Sequence, residues 1–207
     1  MISTMTIARG NAAVLALHWQ VNVIKPDGFF GAMLAEPVER SGVVERAAEF
    51  HDAARSAGLP IVFTRFTIPE GEGQLVRNTG FMQAVANAQE AFRPDADGAA
   101  LIKEMGTEDA DLVVDNQRLS RLAASTLPDE LRARGIETLL ITGVATNLTV
   151  EQTARHGTDL GFTVHVISDC VAAADDAAQQ ASLANLELAT AGSLLAQQVL
   201  AELGAPQ

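Results

Sequence analysis

Apolar residues in this chain fall into two patterns: short unbroken runs, and longer stretches with helical spacing. The runs at 13–17 (AVLAL), 61–64 (IVFT), 111–115 (DLVVD), 138–142 (TLLIT) and 162–167 (FTVHVI) predict five buried strands. A further short strand is expected near Thr190. Helical spacing marks 38–57, 81–92, 127–134, 148–160, 175–189 and 193–203. Several of these close on a stop signal: Gly58 with Pro60 just beyond, Gly135 and Gly161. Residues 67–80 are rich in glycine and polar side chains and predict a long loop, a common form for a lid or site wall. Strands alternating with amphipathic helices predict an α/β fold, a three-layer α/β/α sandwich with a mainly parallel sheet. No repeat, low-complexity tract or linker divides the chain, so one domain is expected over 1–207.

Composition narrows the function classes. The 207 residues are 48% hydrophobic and 19% charged, enough to bury a sizeable core. No apolar run reaches the ~18 residues of a membrane span. Residues 1–10 lack a basic start followed by an apolar stretch, so a cytoplasmic location is expected. A net charge of −12 argues against a nucleic-acid partner, because phosphate binding needs a basic face. The single cysteine, Cys170, rules out an intrachain disulfide and every cysteine-rich metal pattern. His18, His51, His156 and His165 show no metal-ligand spacing, so neither a metal nor a cofactor is expected.

In parallel sheets, ligands bind beyond the carboxyl ends of the strands. Three predicted strand ends carry polar clusters: His18-Trp19-Gln20, Asn116-Gln117-Arg118, and Gly143 through Thr149 (GVATNLT). The third opens a helix, where Thr146 or Asn147 can cap and free N–H groups can stabilise an anion. By themselves these residues fit ordinary capping as well as catalysis, and a lone histidine after an apolar run is more often structural. Arg65, after the second strand, is either a surface residue or a carboxylate binder in the crevice.

The segment 138–172 (TLLITGVATNLTVEQTARHGTDLGFTVHVISDCVA) resembles the signature of the isochorismatase-like (cysteine hydrolase) family. Gly143, Val144, Thr146, Asn147, Val150, Thr153, Ala154, Gly161, Phe162 and Asp169 all fit it. AVLALHWQ (13–20), AARSAGLPIVFTR (53–65) and LVVDNQRLS (112–120) resemble earlier family stretches in the same order. The resemblance implies the isochorismatase-like hydrolase fold, a small-molecule substrate and a homo-oligomer, dimer or higher. It also implies a cis peptide between Val144 and Ala145, with the N–H groups of Ala145 and Thr149 as an oxyanion hole.

The family's catalytic Asp, Lys and Cys would fall at His18, Asn116 and Thr149. A thiol ionises with pKa ~8.5, whereas a threonine hydroxyl needs a base close by. His18, Asn116 and Thr149 are therefore the candidate catalytic residues, with His18 as acid or base and Asn116 orienting it. Thr149 would act as nucleophile or oxyanion donor. Gln20, Arg65, Ala145 (through its backbone) and Thr146 are the candidate substrate contacts. The expected activity is metal-free hydrolysis, or related acid–base chemistry, on a small carbonyl, amide or enol-ether compound. The alternative is a catalytically inactive binding or scaffold protein of the same fold. Cys170 reads as a small buried hydrophobe. Trp19 reads as core and the other histidines as packing or surface residues.

Overall fold

A computed structural model describes residues 7–204; most of the N-terminal stretch considered above for a leader lies outside them. Six parallel strands form one sheet in the order β3-β2-β1-β4-β5-β6. They are β1 (Ala12–Leu17), β2 (Ile61–Phe66), β3 (Leu112–Asn116), β4 (Thr138–Val144), β5 (Thr163–Ala172) and β6 (Ser193–Leu194). The four-residue α1 (Val21–Ile24) follows β1, and α2 (Gly31–Ser41) and α3 (Val43–Ser56) lead to β2. Then come α4 (Gly80–Asn87), α5 (Leu127–Ala133), α6 (Glu151–Asp159), α7 (Asp176–Ala189) and α8 (Ala196–Glu202).

The two faces of the sheet bury separate cores, as the two-residue period of a strand requires. Ala12, Val14 and Ala16 of β1 face a cluster with Val43, Ala47 and Phe50 of α3. Ala13, Leu15 and Leu17 face the opposite cluster with Leu127 and Leu131 of α5 and Ala154 of α6. Helices thus cover both faces, which is the expected three-layer arrangement. The chain reverses its direction of travel across the sheet between β1 and β4, so the crevice beyond their carboxyl ends is the topological switch point.

Several boundaries differ from the sequence reading, among them β5, which runs on to Ala172, and α4, which ends at Asn87. The helix expected over 38–57 is two helices. Gly42, at φ +64°, ends α2 and starts α3 in a new direction, and α2 begins earlier, at Gly31. The helix expected from 148 opens instead as a π turn over Thr146–Val150 before α6. The last helix is preceded by the two-residue β6, close to the short strand expected near Thr190. The 67–80 loop is present, leading from β2 to α4.

Candidate active site

His18 is the first residue beyond β1. Its φ of +57° is unusual for a residue with a side chain. Its ring is buried, and Nδ1 lies 3.2 Å from Oε1 of Gln20. The direction of that bond follows from Gln20. Its Nε2 donates to the carbonyls of Phe66 (3.1 Å) and Ala99 (2.9 Å), and its Oε1 accepts from the Phe66 N–H (2.7 Å). The amide is therefore fixed with oxygen toward the imidazole, so Nδ1 carries the proton and Nε2 keeps its lone pair. Burial pushes the His18 pKa down to about 3. The Arg121 charge pushes the same way, and the Gln20 hydrogen bond opposes them. The ring is neutral across the physiological range.

Beneath the crevice, β4 passes very close to β1. A side chain on Gly143, at φ +139°, would place its Cβ 2.3 Å from the Leu17 carbonyl oxygen. Only glycine lets β4 carry Val144 and Ala145 up beside His18. The Val144–Ala145 peptide is cis, as the resemblance implied. His18, Val144, Ala145 and Thr149 all line one cavity of about 60 Å³. The Thr149 hydroxyl donates to the Leu119 carbonyl at 2.8 Å, so its proton is directed at backbone and not at His18. Thr146 is fully buried and does not line the cavity; its hydroxyl has no hydrogen-bond partner among the described residues.

The rest of the cavity is aromatic and aliphatic. Phe30, Phe66, Phe81 and Phe92 form walls, and Phe29 packs edge-on against Phe30 and Phe92. Five of the chain's eight phenylalanines are therefore gathered at the site. Phe29, Met33 and Phe81 are among the exposed large hydrophobics. Met33 and Phe81 are shared with the cavity lining, so it opens through an apolar rim.

One cation interrupts this lining. Arg121, in the loop after β3, is fully buried and reaches the cavity wall. Its guanidinium lies over the Phe66 ring, 5.6 Å from the centroid. Its backbone N–H donates to Thr153 Oγ1 at 3.1 Å. Asn116 clasps the same loop. Its Nδ2 donates to the carbonyls of Arg121 and Ala123, both at 3.1 Å, its Oδ1 accepts from the Arg118 N–H, and its own carbonyl accepts from Arg121 Nη1 at 3.2 Å.

The candidate residues are thus only partly brought together. His18, Thr149 and Ala145 share the cavity. Asn116 does not line it and does not touch His18; the ring is oriented by Gln20, because Asn116 sits at the end of β3, two strands from β1. Gln20 is 1% exposed and holds His18 and Phe66 without reaching the cavity itself. Arg65 is not a cavity residue either. It is engaged by Asp115, with Nε and Nη2 at 2.8 and 2.9 Å from the two carboxylate oxygens. Strand alternation gives the site Phe66 in its place. Trp19 is core, donating from Nε1 to Thr142 at 3.3 Å, and Cys170 is buried with its thiol pKa pushed up by desolvation. Arg121 was not singled out from the sequence. Its signal there was an arginine set between Leu119 and Leu122 in an apolar stretch, which carries no mark of burial.

Residues 12–198 match the family model described as the Isochorismatase domain. The chain belongs to the isochorismatase family. The isochorismatase family protein YwoC of Bacillus subtilis is 28% identical over 184 residues, covering 88% of this chain and 89% of that one. The ureidoacrylate amidohydrolase RutB of Stutzerimonas stutzeri is 32% identical over 157 residues, covering 70% of this chain and 63% of that protein, so under two thirds of its length is matched. Among solved structures, the cysteine hydrolase from Pseudomonas syringae pv. phaseolicola superposes with a TM-score of 0.84 over 96% of this chain and 95% of that one. At 23% identity this likeness carries the fold. Two of these three, the ureidoacrylate amidohydrolase and the cysteine hydrolase, are named as hydrolases.

Proposed function

We infer that this isochorismatase-family protein hydrolyses a small amide or related carbonyl compound without a cysteine nucleophile, using an altered catalytic set. The observation that carries the reading is the His18 imidazole: neutral, fixed by Gln20 with Nδ1 protonated, and set in the wall of an apolar cavity beside Ala145 and Thr149. Nε2 then takes a proton from water as that water attacks the substrate carbonyl. The N–H groups of Ala145 and Thr149 hold the resulting oxyanion. As the tetrahedral intermediate collapses, the imidazolium returns its proton to the departing nitrogen, yielding a carboxylic or carbamic acid and an amine. A depressed pKa weakens the base and strengthens the acid, so it favours the second half of this sequence. It disfavours the route in which His18 starts as the acid, since the ring is deprotonated at neutral pH. The amide class is supported by the ureidoacrylate amidohydrolases among the relatives.

Thr149 acts here through its backbone, because its hydroxyl is committed to Leu119. No step is assigned to a metal, and assembly as a homo-oligomer is the state we propose for the working enzyme. The test is turnover across a panel of small amides, ureides, esters and enol ethers. His18→Ala is expected to abolish turnover of any hydrolysed member while the protein stays folded, with a stability loss of about 1 kcal/mol or more from the lost Gln20 hydrogen bond. Undiminished turnover in that variant removes His18 from the chemistry. Ligand binding without turnover across the whole panel would instead identify a binding protein.

A further inference from the structure

Arg121 holds a formal charge in the most apolar part of the site. Its residue exposure is 0%, and no carboxylate among the described residues forms an ion pair with it. Buried guanidinium groups are ordinarily paired, because an isolated charge in a low-dielectric surrounding is costly. Asn116 takes one donor, on Nη1. Nε and Nη2 make no hydrogen bond to any described residue. These two nitrogens form one edge of the guanidinium, and their parallel N–H bonds match the two oxygens of a carboxylate.

The chain shows what that edge does when a carboxylate is in reach. Arg55 places Nε and Nη2 at 3.1 and 2.9 Å from the two oxygens of Asp111. Arg65 does the same with Asp115, at 2.8 and 2.9 Å. Arg121 lines the cavity, and its Nε/Nη2 edge is buried beside it with no protein carboxylate to meet it. We propose that the Nε/Nη2 edge of Arg121 binds the carboxylate of the substrate, so that the enzyme takes small, flat monocarboxylates whose apolar body packs against Phe66 and Phe92. This deepens the catalytic reading above and rests on it only for the fate of the bound molecule.

Two further features agree with a monoanion. Arg121 is the one cation in the cavity lining among the described residues, so a dianion such as a phosphate monoester would bring a second charge with no partner. Burial lowers the Arg121 pKa to about 9, which leaves it cationic at neutral pH. Its charge also depresses His18. A carboxylate on Arg121 screens that charge and removes its share of the depression, while desolvation, the larger cause, remains.

The test is binding of benzoate and its neutral analogue benzamide to the intact protein by titration calorimetry, in wild type, Arg121→Met and His18→Ala. Wild type is expected to prefer benzoate over benzamide by about 10- to 100-fold, the range of hydrogen bonds to a charged group. Arg121→Met, similar in length and apolar, is expected to lose that preference. It is also expected to melt no lower than wild type, since it removes an unpaired buried charge. Arg121→Lys, which keeps the charge but not the fork, is expected to retain part of it. His18→Ala is expected to keep the full preference, which separates the anchor from the base. Equal affinity for the two probes in wild type, no benzoate binding at millimolar concentration, or an undiminished preference in Arg121→Met would each overturn the assignment. Should Arg121→Met fail to fold, the Arg121→Lys titration decides: an unchanged preference overturns it and a reduced one supports it. Loss of turnover in His18→Ala with benzoate preference intact would uphold both ideas. Intact preference with undiminished turnover would sink only the catalytic one.

Discussion

Gln20→Met is the perturbation that most directly tests how the site is held. The glutamine amide makes four hydrogen bonds inside the protein, to the Phe66 N–H, the Phe66 and Ala99 carbonyls and His18 Nδ1, at 2.7 to 3.2 Å. Methionine has nearly the same length and satisfies none of them. At about 1 kcal/mol net per bond, and more where a buried group is left unpaired, the loss is expected to be about 4 kcal/mol. For a chain of this size that is a fall in Tm of roughly 8–16 °C. The second consequence is chemical. Without the Gln20 oxygen, nothing holds the proton on Nδ1, and the ring is free to take the other tautomer. Denaturant titration followed by circular dichroism measures the first effect, and nitrogen chemical shifts of ¹⁵N-labelled His18 report the second. Gln20→Glu sharpens the result, since it keeps an acceptor for Nδ1–H and loses the two donated bonds. A stability loss under about 1 kcal/mol in Gln20→Met, together with an unchanged tautomer, would refute the reasoning.

Stability should also depend on pH through two buried rings. His18 and His51 are both lowered by burial from 6.5 to about 3, so the fold keeps them neutral while the unfolded chain protonates below about pH 6.5. Their contribution is complete above pH 6.5 and is lost as pH falls toward 3, by up to about 1.4 kcal/mol per unit for each ring. A melting temperature that stays flat from pH 7 to pH 5 contradicts this. Thr149→Ala is expected to keep activity within a few-fold, because the backbone N–H remains, and to lose about 1 kcal/mol of stability with the Leu119 hydrogen bond; an inactive but folded variant would reinstate the hydroxyl as nucleophile. Arg65→Ala should leave KM unchanged and alter stability by less than about 1 kcal/mol, as expected for a partly exposed ion pair. A large rise in KM would return Arg65 to the site.

The relation between chain and fold differs from element to element. Strands β1, β2, β4 and β5 were legible because each is an apolar run bounded by turn residues, and their alternation with helices left one architecture. Helix ends were less so. Gly42 lies inside an otherwise continuous helical pattern, and only its left-handed backbone shows that it divides α2 from α3. The π turn at Thr146–Val150 has the same composition as an ordinary helix start.

The sequence by itself determined the three-layer scaffold, the strand ends that carry polar clusters, and the presence of His18, Ala145 and Thr149 at them. These are matters of local pattern and of position relative to a strand. The tertiary structure alone decided which polar groups meet. It assigned Gln20 to His18 and Asp115 to Arg65. It turned Asn116 into a clasp for its own loop and carried Arg121, from far along the chain, into an aromatic cavity with one edge unpaired. Hydrogen-bond partnership and burial depend on distances between segments remote in sequence, and an arginine among leucines carries no mark of whether its charge faces water or a buried cavity.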